Sequence, residues 1–409
     1  MVKELVACSL SKNILYVYMM SILKKIFPYV KRVLEKPLIL AGKFAGSFFT
    51  PFFRSQLFFL FPFYHIGGAE KVHLKITGCL KEYNPVVFFA DKSKNSALKK
   101  QFMQNAKIFN LGYLNNPLLI YFWVGVLSTV FNSNKNCTVF GCNNLLFYRL
   151  LPYLDPQIRC IDLIHAFGGG IENFSLPYVN RLDKRIVINT RTLNDLKNQY
   201  RSNGIPEKMN DRIFLIENCV QIPEKLRRKN NGNTLRILYV GRGTEEKRVH
   251  LIGEISQICH KKGISVEFIL VGDIINSIPK EYRKYCNFLG EIADEKRISE
   301  IYDNSDILLL VSRYEGFPLV IMEAMAHGVV TISTDVGGIS EHISNGYNGF
   351  LIKNESEDLI VKNVCDVINE LASNRHLMEK ISTEAYKYAK INFNCEDFCS
   401  KYRNLVLEK

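Results

Sequence analysis

The chain has 409 residues, 47% of them apolar, and its formal charge is +13. That length predicts two domains, each able to bury its own core, and the charge suits anionic partners: nucleic acid, acidic lipid or phosphorylated small molecules. No apolar run reaches the roughly 18 residues of a membrane-spanning helix, and the eleven cysteines show no repeating spacing, which argues against a zinc or disulfide framework and predicts reduced thiols in a cytosolic protein.

Residues 1–53 read as an appendage. Lys12, Lys24, Lys25, Lys31, Arg32, Lys36 and Lys43 interleave with Ile14, Leu15, Val17, Met20, Ile22, Ile26, Phe27, Val30 and Val33. Such a segment either lies on an anionic membrane surface or packs on its own domain as an ordinary amphipathic helix. The aromatic run "FAGSFFTPFF" from Phe44 favours the interface. Ile14–Leu23 is not a secretory signal, because Ser21 interrupts it, Lys24 and Lys25 close it, and no small-residue cleavage site follows.

Residues 54–222 alternate short apolar runs with helical patterns. "LFFLFPF" from Leu57, "VVFFA" from Val86, "CTVFG" from Cys137, "CIDLIH" from Cys160, "RIVIN" from Arg185 and "RIFLIEN" from Arg212 read as buried parallel strands. "PEKLRRKNNGN", residues 223–233, is a polar linker. A second series spans 234–392: "LRILYVG", "SVEFILVG", "CNFLG", "DILLLVS", "GVVTIST" and "GFLI", with helices predicted at about 248–262, 294–303, 318–327 and 356–372. Alternation of this kind gives α/β doubly wound parallel sheets. Two of them would face each other, with ligands in the cleft beyond the carboxyl ends of the strands.

Several stretches lie at such ends. Arg242 follows the strand "LYVG", and Lys247 stands near the next helix start; two cations and free backbone N–H groups suit a diphosphate, although Glu245 and Glu246 could neutralise them. Gly67-Gly68 could admit an anion to the backbone, or simply make a tight turn. His165 precedes a triple glycine, where it is either structural or functional. In "RYEGFPLVIMEAMAHG", Glu315 sits on a loop and Glu323 on the second turn of a helix begun by Pro318. Carboxylates grip vicinal hydroxyls, and helix N–H groups between them suit phosphates, so the pair fits a nucleotide-sugar. The bland alternative is a cap and an exposed helix charge.

"EGFPLVIMEAMAHGVVTISTDVGGISEHISNGYNGFLI", with "VGRGTEEKRV", "FILVGD", "IENCV" and "GGAEKV", resembles the signature of retaining glycosyltransferases of family 4, glycosyl transferases group 1, over roughly residues 56–409. The resemblance implies a GT-B fold, two Rossmann-like domains across a cleft, with the terminal helix 393–409 packed back on the first. It implies that Arg242 and Lys247 bind the diphosphate, Glu323 the ribose and Glu315 the donor sugar. Gly67 and Gly68 would lie beside the diphosphate, His165 near the reacting face, and Gly316 and Phe317 would offer backbone amides. Gly272, Asp273 and Gly290 would line the base pocket. The chain departs from the pattern at Cys219, where glycine is usual, and at Ser340, where proline is usual.

The expected activity is therefore transfer of a sugar from a UDP-, GDP- or ADP-sugar to a glycan or lipid-linked acceptor, in cell-surface polysaccharide or glycolipid synthesis. The enzyme is expected to need no cofactor or metal, since there is no Asp-x-Asp motif. It is expected to be cytoplasmic or peripheral on the inner membrane face, and not to bind nucleic acid, whose motifs are absent. The alternatives are a sugar-nucleotide epimerase and a non-catalytic donor-binding subunit.

Overall fold

The computed structural model describes residues 33–112, 119–226 and 234–408. The segment 1–32 and most of the linker lie outside the described residues. Seven parallel strands form the first sheet: β1 (Leu57–Phe61), β2 (Val86–Phe89), β3 (Lys107–Asn110), β4 (Thr138–Cys142), β5 (Arg159–Ile164), β6 (Lys184–Val187) and β7 (Ile213–Leu215), in the order β3-β2-β1-β4-β5-β6-β7. Six form the second: β8 (Leu235–Val240), β9 (Val266–Val271), β10 (Cys286–Gly290), β11 (Ile307–Leu310), β12 (Val330–Thr334) and β13 (Phe350–Ile352), in the order β10-β9-β8-β11-β12-β13. This is the GT-B arrangement of two α/β domains. The strands are nearly all-apolar because helices cover both faces. In each sheet the order reverses beside its first strand, between β1 and β4 and between β8 and β11, and these switch points are where loops part to leave a crevice.

Two elements lie outside the series that the sequence predicts. β3 is a short edge strand, half-buried at most. The helix Leu119–Asn132 is apolar nearly all round, because it is clasped between the sheet and the helical residues 33–49. That clasp is a backbone contact: a Cβ on Gly125 would lie 2.1 Å from the Ile39 carbonyl oxygen, and one on Gly42 2.0 Å from that of Phe122. Residues 33–49 thus pack on their own domain along one face. Leu40, Phe44 and Phe48 stay exposed on the other, with Phe52 just beyond. No helix among the described residues is long and apolar enough to cross a membrane.

Inside the first domain, Arg185 and Asp162 form a fully buried pair, with Arg185 Nη2 2.7 Å from Asp162 Oδ2. Tyr148, Ser175 and Tyr200 satisfy the remaining lone pairs and protons, which makes a buried pair tolerable.

The terminal helix Cys395–Leu407 lies against the helix Gly68–Cys79 of the first domain. Arg403 Nε donates to the Cys79 carbonyl at 2.9 Å, and Lys184 Nζ to that of Leu405 at 3.0 Å. This crossing overturns the expectation of reduced thiols throughout: Cys79 and Cys399 are disulfide-bonded. They are 320 residues apart in sequence, so only the returning helix brings them together.

Candidate active site

At the second switch point, β8 ends beside Arg242, whose carbonyl accepts from the buried Tyr239 hydroxyl at 2.8 Å. The Arg242 guanidinium stays largely exposed, 3.9 Å from Glu246. Lys247 closes a 3-10 turn, Glu245–Lys247, and its Nζ lies 2.5 Å from Glu315 Oε1, which also accepts from Ser312 Oγ at 2.7 Å. The helix Leu319–Ala326 starts one residue after Pro318, which serves as its N-cap. On it, Glu323 accepts from Tyr302 OH and from Lys71 Nζ of the first domain, each at 2.8 Å.

The loops after β9 and β10 stand alongside. Gly272 has φ +130°, and a Cβ there would lie 1.9 Å from the Gly241 carbonyl oxygen, so only glycine fits. Its N–H donates to the Gly290 carbonyl at 2.8 Å. The Asp273 carbonyl oxygen lies 3.1 Å from the position of a Cβ on Gly243, beside Arg242. Phe317 is different: its ring is 4% exposed and stacks on His342 at 4.1 Å, so only its backbone can face the cleft.

The first domain contributes from β1 and β5. Gly67 caps the helix Gly68–Cys79, and a Cβ on it would meet Glu70 Oε2 at 2.1 Å, whereas Gly68 is open. Burial raises the pKa of Glu70, and the Arg242 charge across the cleft partly opposes this. His165 Nε2 is 3.1 Å from His73 Nε2. Burial lowers the pKa of both rings, that of His165 to about 4, so both are neutral at pH 7. The buried His73 Nδ1 has no hydrogen-bond partner among the described residues. An unpartnered N–H costs more than a bare nitrogen lone pair, so His73 carries its proton on Nε2 and gives it to His165 Nε2. His165 then holds its own proton on Nδ1.

The domains meet at this point. A Cβ on Gly316 would lie 2.3 Å from the His165 carbonyl oxygen, Tyr314 OH donates to the Phe167 carbonyl at 2.6 Å, and Lys71 bridges to Glu323. Arg242, Lys247, Glu315, Glu323, Gly316 and His165 therefore line one crevice, with cations beside carboxylates.

The sequence reading missed Lys71, His73 and Tyr302. Lys71 and His73 sit one and three residues after Glu70 in "GGAEKVH", so helical spacing from the glycine turn could have flagged them. Tyr302, in "EIYDNSD", carries no such cue.

His73, Cys142 and His165 also bring potential metal-ligating atoms within 4.8 Å of one another. Coordination through both Nε2 atoms would force the His73 proton onto the unpartnered Nδ1, where metal-bound histidines normally donate to an acceptor. The donor set fits a neutral histidine pair better than a metal.

Comparison with known proteins gives the same architecture. The chain is 27% identical over 297 residues to the O-antigen biosynthesis glycosyltransferase WbnH of Escherichia coli, covering 69% of this chain and 77% of that protein. It is 25% identical over 250 residues to the amylovoran biosynthesis glycosyltransferase AmsD of Erwinia amylovora, covering 59% and 68%. The crystal structure of Anabaena Alr3699/HepE in complex with UDP-glucose superposes with a TM-score of 0.67 at 18% identity, covering 86% of this chain and 99% of that one. Residues 222–388, which hold Arg242, Lys247, Glu315 and Glu323, match the family model Glycosyl transferases group 1, and the chain carries a domain of that kind across its second sheet.

Proposed function

We propose that this protein is a retaining glycosyltransferase of family 4, transferring a sugar from a nucleoside diphosphate to an acceptor hydroxyl in cell-surface polysaccharide or glycolipid synthesis. The observation that carries the proposal is the crevice itself, where Arg242 and Lys247 stand beside Glu315 and Glu323 at one switch point, opposite His165 at the other. The relatives named for O-antigen and amylovoran synthesis and the UDP-glucose complex of HepE support this choice of reaction and donor class.

The difficult event is departure of a diphosphate carrying new negative charge. Arg242 and Lys247 stabilise that charge, each worth about a hundredfold to a thousandfold in rate, and do so in place of a metal ion. Glu323 takes the ribose hydroxyls, which requires it to leave Lys71. Glu315, held by Lys247 and Ser312, positions the sugar, and His165 offers a neutral N–H to one of its hydroxyls. Among the described residues no carboxylate takes the part of a double-displacement nucleophile in this reading. The acceptor attacks on the face the diphosphate leaves, and the departing phosphate takes the acceptor proton. Closing of the two domains expels water that would hydrolyse the donor. The exposed Leu40, Phe44, Phe48 and Phe52, with Lys36 and Lys43 nearby, seat the first domain peripherally on an anionic membrane.

A thermal-shift screen of UDP-, GDP- and ADP-sugars tests the donor class. Stabilisation by one of them in the wild type, and its loss in Glu323→Ala, is expected. No stabilisation by any of the three would overturn the proposal.

A further inference from the structure

Cys219, where the family pattern has glycine, is left over from the chemistry above. It lies on the segment that carries the chain from the first domain to the second. Cys395 begins the helix on which the chain returns. The two segments touch: the Val220 N–H donates to the Phe393 carbonyl at 3.3 Å. Lys75, on the helix Gly68–Cys79, reaches into the same place. Its Nζ is 2.7 Å from the Cys219 carbonyl oxygen, 4.0 Å from Cys219 Sγ and 3.9 Å from Cys395 Sγ. One turn further along the same two helices sits the Cys79–Cys399 disulfide.

The two thiols are not equivalent. Cys219 is 2% exposed. Cys395 is half-buried; both thiols lie on the wall of a cavity of about 970 Å³, which Lys75, Lys390, Cys399 and Arg403 also line. It is also the first residue of its helix, capped by Asn394, so it meets the positive end of a helix dipole as well as an ammonium group. Those are the surroundings of reactive cysteines. The neighbouring Cys219 thiol and the Lys75 ammonium favour the Cys395 thiolate, while the Cys395 sulfur and burial disfavour ionisation of Cys219 itself. One group opposes this: the Val220 carbonyl, 3.3 Å from Cys395 Sγ, accepts the proton of the neutral thiol.

We propose that Cys395 is a nucleophilic thiol that peroxide oxidises, with Cys219 as its resolving partner, and that the resulting disulfide fastens the crossover between the two domains. The Cys395 thiolate attacks one peroxide oxygen and the O–O bond breaks, leaving a sulfenic acid and hydroxide, which takes a proton to become water. The Cys219 sulfur then attacks the sulfenic sulfur. The S–O bond breaks, hydroxide leaves with the Cys219 proton as water, and the S–S bond forms. Peroxide is the two-electron oxidant, and each sulfur gives up one electron. Two segments that must shear when the domains close are thereby joined. That consequence rests on the transfer reaction proposed above; the thiol chemistry does not.

The test uses the full chain, purified without reductant. After brief hydrogen peroxide treatment and non-reducing digestion, mass spectrometry should find a peptide pair joined through Cys219 and Cys395. In Cys219→Ser, which leaves no resolving thiol, dimedone should trap a sulfenic acid at Cys395. At pH 7, iodoacetamide should alkylate Cys395 about tenfold faster than the half-buried Cys286, as a larger thiolate fraction requires. Peroxide should slow sugar transfer in the wild type and not in Cys219→Ser. Absence of the dimedone adduct from folded Cys219→Ser, or alkylation of Cys395 no faster than Cys286, would overturn the assignment. Formation of the linked peptide with no change in transfer rate would remove the consequence for domain closure while leaving the site.

Discussion

Among the described residues Arg242 forms an ion pair with Glu246 alone and keeps most of its surface open, so its replacement removes charge without breaking the fold. Arg242→Ala should lower kcat about a hundredfold to a thousandfold at saturating donor, with an unchanged melting temperature; undiminished turnover would sink the charge-stabilising role. His73 acts through another ring. With His73→Leu, His165 loses the donor that fixes its tautomer. A hydrogen bond worth about 1–1.5 kcal/mol should cost about tenfold in kcat with little change in donor KM. A purely structural role would instead lower the melting temperature and leave kcat alone. His73 and His342 are buried, His165 is half-buried, and all three are neutral, with pKa values pulled down by desolvation, to about 4 for His165 and His342. In the unfolded chain they titrate near ~6.5. Between those values the unfolded chain binds more protons, so their contribution is full above about 6.5 and is lost as pH falls toward 4. The melting temperature should therefore be lower at pH 5 than at pH 7.5. These side chains differ in how visible they are in sequence. Arg242, Lys247 and Glu315 announce themselves by following apolar strands. His73 and Tyr302 do not, because a histidine or tyrosine inside a helical pattern looks the same whether it faces a core or a cleft.

Among the elements, residues 33–49 show two faces with different work. The inner face meets the helix Leu119–Asn132 backbone to backbone at Gly42 and Gly125. Gly125→Val should therefore destabilise the first domain by about 1–3 kcal/mol through overpacking, read as a lower unfolding midpoint in urea. The outer face carries Leu40, Phe44 and Phe48, each at least 65% exposed. Phe44→Ser with Phe48→Ser should abolish flotation with anionic vesicles while leaving donor turnover in solution unchanged; retained flotation would remove this face from membrane contact. The interleaving of basic and apolar residues made the segment readable as amphipathic. It did not say that one face was already taken, since the partner helix is about 80 residues away and is itself apolar nearly all round. Four second-domain helices were legible almost to the residue, at Val249–Lys261, Glu295–Asp303, Leu319–Ala326 and Glu357–Ser373, because each sits between a clear strand and a cap or turn, whereas Arg375–Asn392, which follows another helix, was not predicted.

Across the whole molecule, the domains are joined by contacts that run through the crevice. Glu341 of the second domain accepts from the Thr190 and Arg191 N–H groups, at 2.8 Å each, at the start of the helix Thr190–Ser202, a favourable place for a carboxylate. Lys71 holds Glu323 from the other side. If Glu323 must release Lys71 to take ribose, then Lys71→Met should lower the donor KM by about two- to fivefold, the worth of a partly exposed ion pair. A raised KM would instead make Lys71 a donor ligand.

By itself, the sequence determined the class of the fold, the order of most strands along the chain, and the loops that carry charge, because strand and helix periods and glycine turns are local properties of the backbone. Only the tertiary structure decided what those loops meet. The Lys71–Glu323 bridge, the His73–His165 pair and the approach of Gly316 to the His165 carbonyl join residues some ninety to two hundred and fifty positions apart. The return of Cys399 to Cys79 and of Cys395 to Cys219 is of the same kind. Such partners are fixed by how two sheets and a crossing helix pack together, and no periodicity along a single chain records that.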